Sequence, residues 1–392
     1  MERVEEWVLE NKDKIELGVE MIGKGCEVLA ATVGQLHPLL EAIFVASKEI
    51  LSNPDSNEAK YLTEQIEKVS QRLEGIQDEL DTIQREQKKT SMNKMNFDYE
   101  VQMISQYEKY LEFVNAKPKF KETRKDKFMK HFQATDGDMN LDALYNSVTG
   151  ESLSGESVLE TILVTEEKSR RAVEEFCAVL KKLFIVGLVA VMGHAALKEG
   201  AVGESLMKKW CLRMEDVERR MKAAVDDCTE NFATQAKLDV ENQMRETPAK
   251  IAPEFVQPVL EFLQKKYDWV CWSVRVYNNT GKWFWNWLAG KKFQGSGGGN
   301  FFDILTKNNI NVVVSYSIGP QPINKSQIQE LVESQKITNN MQDLAQSIYN
   351  NFPNCVVHAI SRYKDVEEYN NFQPECYYYV KHKKCYLCVH PE

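Results

Sequence analysis

LFIVGLVAVMGHAAL (183–197) is the stretch whose reading decides the fold. It runs for fifteen residues without a formal charge. Nine of its side chains are large and apolar: Leu183, Phe184, Ile185, Val186, Leu188, Val189, Val191, Met192 and Leu197. Burying each is worth roughly 1.5–3 kcal/mol, so the set is worth about 14–27 kcal/mol, an upper bound because unfolded chains are partly collapsed. As a helix the run is about 22 Å long, at roughly 1.5 Å per residue, against about 30 Å for the hydrocarbon core of a bilayer. It is apolar on every side, unlike the helix of a protein surface. The spacing predicts the central helix of a bundle, sheathed by amphipathic neighbours. The sharper alternative is a stowed membrane-engaging segment made of Leu183, Phe184, Ile185, Val186, Leu188, Val189, Val191 and Met192. His194 reads as a core histidine bonded to a helix carbonyl. Its alternative role is a pH trigger, since charging it would make burial costly.

Helical periodicity surrounds this run. From Val158 to about Met244 it is continuous, and Leu206, Trp210, Met214, Val217, Met221, Cys228 and Phe232 mark the buried stripe of a last long helix. No proline falls between Lys119 and Thr247, as long helices require. Further upstream, Leu62, Ile66, Val69, Leu73, Ile76, Leu80 and Ile83 alternate steps of four and three, a heptad seam that must face another helix. Partners within the chain are favoured for it. Residues 1–51 read as one or two helices, with Pro38 expected to kink or divide the second. Asn53-Pro54-Asp55-Ser56 reads as a turn and helix start.

KFKETRKDKFMKHF (119–132) is basic, with Phe120, Phe128 and Phe132 interleaved. It suits either an anionic membrane surface or, more plainly, a solvated helix whose rings point inward. Asp136-Gly137-Asp138 invites a calcium reading, but Leu141 and Ser147 stand where a calcium loop needs Gly and Glu, so a turn is expected.

The 392 residues allow two or three domains, and 43% hydrophobic content supports proper cores. Of the net charge of −9, residues 1–250 carry −11 and residues 251–392 carry +2. A net-acidic helical half argues against nucleic-acid binding. The acidic start MERVEEWVLENKDKIE is no secretory signal, and nine scattered cysteines suit reduced thiols. The expected location is cytoplasmic, with peripheral membrane association as the variant.

Pro248, Pro253 and Pro258 mark a change of composition. Beyond them, residues 269–277, 310–318, 355–363 and 376–389 alternate like strands, and 324–336 and 340–352 like helices. Trp283, Trp285 and Trp287 would share a strand face beside Lys291 and Lys292, a candidate interaction surface whose alternative is core packing. Cys376, Cys385 and Cys388, with His382 and His390, could ligate zinc, but Cys385 and Cys388 lie three apart in a strand and so face opposite ways. No metal or cofactor is expected. Gly295–Gly299 lacks the Lys-Ser/Thr ending of a phosphate loop and reads as a mobile surface loop. No nucleophile–base motif and no paired-carboxylate pattern occurs, so no enzyme is expected.

Eight segments carry a resemblance. They are 25–56, 59–65, 106–122, 141–150, 168–193 (KSRRAVEEFCAVLKKLFIVGLVAVMG), 221–233, 301–315 and 376–392 (CYYYVKHKKCYLCVHPE). Together the chain resembles the rapunzel family of fish proteins along nearly its whole length. That resemblance implies a regulatory role in fin and skeletal development, with no catalytic residues to carry over. The family is also similar to a mollusc salivary cephalotoxin, which implies a membrane-active ancestor and a helical half like the soluble form of α-helical pore-forming toxins. Absence of a signal peptide and of a disulfide pattern departs from a secreted toxin.

The expectation is a multidomain α and α+β chain. An elongated α-helical bundle with a buried apolar central helix spans 1–248, and a small α+β domain with a mainly antiparallel sheet spans 249–392. Its function is expected to be that of a non-enzymatic intracellular interaction protein, with unidentified protein partners and a homo-oligomer as one option. The alternative is a membrane-engaging, pore-former-like protein.

Overall fold

The computed structural model describes residues 2–22, 29–86, 99–151, 155–198, 203–245, 253–278, 293–334, 340–361, 365–382 and 385–392. Two compact units divide the chain, Met1–Glu230 and Asn231–Glu392.

The first unit is all helical: α1 (Glu2–Ile22), α2 (Leu29–Ser52), α3 (Asn57–Glu86), α4 (Glu100–Val114), α5 (Lys121–Ala134), α6 (Met139–Thr149), α7 (Val158–Thr165), α8 (Arg170–Leu197) and α9 (Gly203–Glu230). The apolar run forms the C-terminal half of α8, and α2, α3, α4, α5, α6, α7 and α9 all pack on that helix. The heptad seam of α3 is buried from Leu62 through Leu80, inside one core shared with α1, α2 and α8; the side chain of Ile83 lies outside the described residues. Of the two outcomes expected at Pro38, division does not occur, since α2 runs through it. The Asp136-Gly137 segment is the predicted turn. Asp136 and Gly137 take positive φ, and the Gly137 N–H donates to the Phe132 carbonyl at 2.9 Å. α7 begins with a capping box, Ser157 and Glu160 each accepting from the other's end of the first turn.

The second unit contains α10 (Phe232–Met244), α11 (Pro253–Lys266), β1 (Cys271–Asn278), β2 (Gln294–Gly297), β3 (Phe301–Leu305), β4 (Ile310–Ser317), α12 (Lys325–Ser334), α13 (Met341–Asn351), β5 (Cys355–Ser361), β6 (Val366–Asn370), β7 (Tyr378–His382) and β8 (Cys385–Pro391). Among the described residues there are two sheets instead of one, in the orders β3-β4-β1-β6 and β2-β5-β8-β7, and every pairing within them is antiparallel. Alternation sorts the side chains. In the first sheet Trp272, Val274, Val276, Val312 and Val314 pack toward α10 and α11. In the second, Val357, Ala359, Cys385, Leu387 and Val389 pack toward α12 and α13. The opposite residues of both sheets meet in shared clusters, such as Tyr277 and Val313 with Ile360 and Tyr386. The layers are therefore helix, sheet, sheet, helix, with the central strands buried on both faces.

By contacts the second compact unit begins at Asn231, ahead of the proline cluster. The expected long helix breaks at Asn231, and α10 belongs to the second unit. Phe232 sits among Tyr267, Trp269, Trp272 and Tyr316, with ring centroids 5.1–6.1 Å away. The buried Asp239 accepts from Tyr267 Oη at 2.7 Å and from Lys266 Nζ at 2.6 Å, tying α10 to α11. Likewise, Gly295–Gly297 is not a surface loop but the end of strand β2. A Cβ on Gly295 would lie 2.3 Å from the Gln342 Cα, so glycine lets the strand lie flush against α13.

Candidate functional site

Leu183, Phe184, Ile185, Val186, Leu188, Val189, Val191 and Met192 are each 5% exposed or less. Among the described residues α8 is the one helix long and apolar enough, by length and composition, to cross a membrane, and 83% of its most apolar window is buried. Two glycines set how closely the sheath approaches. A Cβ on Gly187 would lie 2.6 Å from Leu141 of α6, and one on Gly193 2.3 Å from the Tyr110 ring of α4. Tyr110 is fully buried, and its hydroxyl shares a 2.8 Å hydrogen bond with Ser47 of α2. Tyr107 and Ser70 repeat the device between α4 and α3 at 2.5 Å. Burial pushes both phenols upward, so they stay neutral.

The two ends of α8 differ. At the C-terminal end His194 stacks on Phe132 at 4.1 Å and meets Phe128 edge-on at 6.4 Å. Its Nε2 is buried without a hydrogen-bond partner. Burial lowers its pKa to about 4, with Lys198 adding to the shift and Asp138 opposing it. At the N-terminal half sit polar groups. Glu175 is buried beside Arg171 at 3.3 Å and its carboxyl is pushed up by burial. Lys182 donates to Gln77 of α3 at 2.7 Å.

α5 covers the His194 end. Its inner face carries Phe128 and Phe132, both buried, as the plainer reading of the basic stretch requires. Lys121 is also buried, and its Nζ donates to the Phe113 and Val114 carbonyls at 3.2 and 2.5 Å, capping α4 with a cation at its negative end. Phe120 instead points outward, 49% exposed, with Lys119 Nζ 4.8 Å from its ring centre.

The other sequence candidates fare differently. Trp283, Trp285, Trp287, Lys291 and Lys292 lie outside the described residues. Cys385 packs with α12 and α13 while Cys388 faces the other way, toward Phe372 and Tyr377, so β8 holds the two thiols apart. Burial pushes both thiols up, Cys385 to about 11. No cluster suited to a metal ion occurs among the described residues.

One polar network escaped the sequence reading. Arg275 of β1 is fully buried between the sheets, and its Nη2 donates to Ser315 Oγ at 2.6 Å. Ser315 Oγ lies 2.7 Å from His390 Nε2, and His390 Nδ1 lies 2.8 Å from the Pro391 carbonyl. A carbonyl only accepts, so Nδ1 carries the proton and Nε2 accepts from the Ser315 hydroxyl. Burial drops His390 to about 3, and His358 nearby is lowered too, by burial and then by Arg275. A serine bonded to a neutral histidine is the pairing of a nucleophile and base. Here Ser315, His390 and Arg275 all have zero exposure, so in this structure the hydroxyl is out of reach of solvent. The signal was faint: a lone Arg in the apolar alternation Val274-Arg275-Val276.

What fold and site define is a helical bundle closed around an apolar helix, followed by an antiparallel two-sheet α+β unit. A family model described as the cephalotoxin-like middle helical domain matches residues 52–249, half of the chain and the whole of α8. The chain belongs to the cephalotoxin-like family. It is also 21% identical to protein rapunzel of Danio rerio over 222 residues, 56% of this chain and 97% of that protein. No solved structure matches it.

Proposed function

We propose that this chain works by binding, not by chemistry, and that its helical unit stores α8 for engagement with a membrane. The observation that carries the reading is the enclosure of α8: a helix of membrane-crossing composition, kept dry by seven others. Its uncharged run is short for a bilayer. Lys181 and Lys182 at one end can extend the span by reaching the headgroups with their flexible stems. A toxin-like helical domain, as the cephalotoxin-like family is described, is in keeping with this reading. The cysteines among the described residues are free, which suits a reducing compartment such as the cytoplasm.

The test mixes the full chain with dye-loaded anionic vesicles at neutral and mildly acidic pH and follows hydrogen exchange along α8 and its sheath. The expected outcome is dye escape together with loss of protection in α2 and α4, as α8 leaves them. Intact vesicles and unchanged exchange at both pH values would make α8 a structural core helix.

A second reading is favoured by the likeness to protein rapunzel, which extends over nearly that whole protein. On it, the chain is a regulatory interaction protein acting in skeletal development through protein partners. Reproducible capture of the same folded partner by the full chain, with no effect on vesicles, is the outcome that would select it.

A further inference from the structure

The outer face of α5 is chemically unlike the rest of the helical unit. Residues 117–130 hold seven basic side chains against two acidic ones, within a half of the chain whose net charge is −11. The structure divides those seven by task. Lys121 is buried against the α4 carbonyls, Arg124 pairs with Glu112, and Lys125 with Glu122 at 2.9 Å. Lys117, Lys119, Lys127 and Lys130 are exposed and form no ion pair among the described residues. Lys127 and Lys130, with Asp126 beside them, are exposed on the side of α5 turned away from Phe128 and Phe132, and Phe120 ends the exposed turn that leads into the same helix. An exposed ring with a lysine ammonium over it, mounted among unpaired lysines, combines an apolar wedge with a field of positive charge.

We propose that this face, Lys117, Lys119, Phe120, Lys127 and Lys130, is the surface by which the helical unit lands on anionic lipid. The inference rests on the membrane reading of α8 and adds where contact begins. Charge complementarity selects the occupant: clustered lysines on an amphipathic helix are attracted to the negative surface of acidic phospholipids within a Debye length, and the Phe120 ring can enter the headgroup boundary. The position couples landing to release. The opposite face of α5 carries Phe128 and Phe132, which cover His194 at the end of α8. A lipid surface that draws α5 outward therefore uncovers α8 at its uncharged end.

The experiment floats the full chain with vesicles of phosphatidylcholine alone or mixed with phosphatidylserine, at low and high salt, with dye release read in parallel. Wild type should float with the phosphatidylserine vesicles only, and less at high salt. The combined variant Lys119→Glu, Lys127→Glu, Lys130→Glu should lose at least about tenfold in affinity. Phe120→Ser should weaken the part that survives salt. All four positions are exposed, and melting curves confirm that the variants fold; a Lys→Gln set should show the same ordering at smaller size. Unchanged flotation of the triple variant overturns the landing face, even if dye release persists and the α8 reading stands. Flotation that depends on the lysines but releases no dye upholds the landing face and removes the α8 reading. Equal flotation with phosphatidylcholine alone, or a stronger hold on an RNA oligonucleotide than on the anionic vesicles at equal salt, overturns the choice of lipid.

Discussion

Two glycines at the scale of single residues show opposite uses of the same side chain. Gly193 lies where a Cβ would meet the Tyr110 ring at 2.3 Å, and that ring is held by the Ser47 hydrogen bond. Gly193→Ala should therefore destabilise the helical unit by about 1–3 kcal/mol, the usual cost of overpacking a core. Gly75 in α3 is exposed and has nothing within 4 Å of its would-be Cβ. Gly75→Ala should stabilise by about 0.4–1 kcal/mol through helix propensity and a less free unfolded chain. Urea unfolding of the two variants separates these signs. His194 sets a pH dependence of known direction. Its folded pKa, about 4, lies below the usual histidine value of about 6.5, so the unfolded state binds the extra proton between them. Its contribution is whole above pH 6.5 and is lost as pH falls from there to about 4. The slope is at most about 1.4 kcal/mol per pH unit, and shallower here because the ring is only partly buried. His194→Gln should flatten that limb of the urea midpoint against pH. An unchanged limb would assign it to other groups, such as His390. The same numbers oppose His194 as a trigger at mildly acidic pH, because the folded imidazole is still neutral there.

At the scale of elements, what was legible in the sequence depended on how strongly a pattern outweighs its surroundings. The apolar run of α8 and the seam of α3 are long and periodic, and both are buried where periodicity puts them. The strands β1, β4, β5 and β8 announce themselves through Val, Ile and Cys, because all four are sandwiched on both faces. The edge strands β2, β3 and β6 do not. β6 reads VEEYN and is only half-buried, and β2 reads QGSG, whose glycines argue for a loop until α13 is seen pressed against them. Lys121 likewise reads in the sequence as one more solvated cation, since nothing in its neighbourhood shows that the α4 carbonyls end within its reach. The seam of α3 makes its own prediction. Leu73 is buried inside the unit, so Leu73→Ala should cost about 2–5 kcal/mol. Because the seam faces α1, α2 and α8 and not another chain, the same variant should leave the sedimentation coefficient of the folded protein unchanged. A shift in oligomeric state would mean that the seam also serves a partner.

At the scale of the whole molecule, composition and contacts divide the chain at different points. Prolines at 248, 253 and 258 look like a linker, yet the compact unit begins earlier, at Asn231. The reason lies in what α10 covers. Phe232 joins the ring cluster of Tyr267, Trp272 and Tyr316, and Ala236, Val240 and Met244 continue the same core along the helix. Asp239 adds charge-assisted hydrogen bonds to Lys266 and Tyr267, whose side chains are otherwise carried into a mostly apolar setting. Without α10 the outer face of the first sheet would expose aromatic surface of the kind that drives association. Residues 231–392 should therefore express as a soluble fragment with a cooperative thermal transition. Residues 249–392 should aggregate or melt without a sharp transition, although they contain every strand. Within the longer fragment Phe232→Ala should lower stability by about 3–5 kcal/mol, the range for removing a buried aromatic ring. Equal melting curves for the two fragments would move the boundary back to the prolines and leave α10 as the final helix of the bundle, where the stripe through Cys228 and Phe232 first placed it.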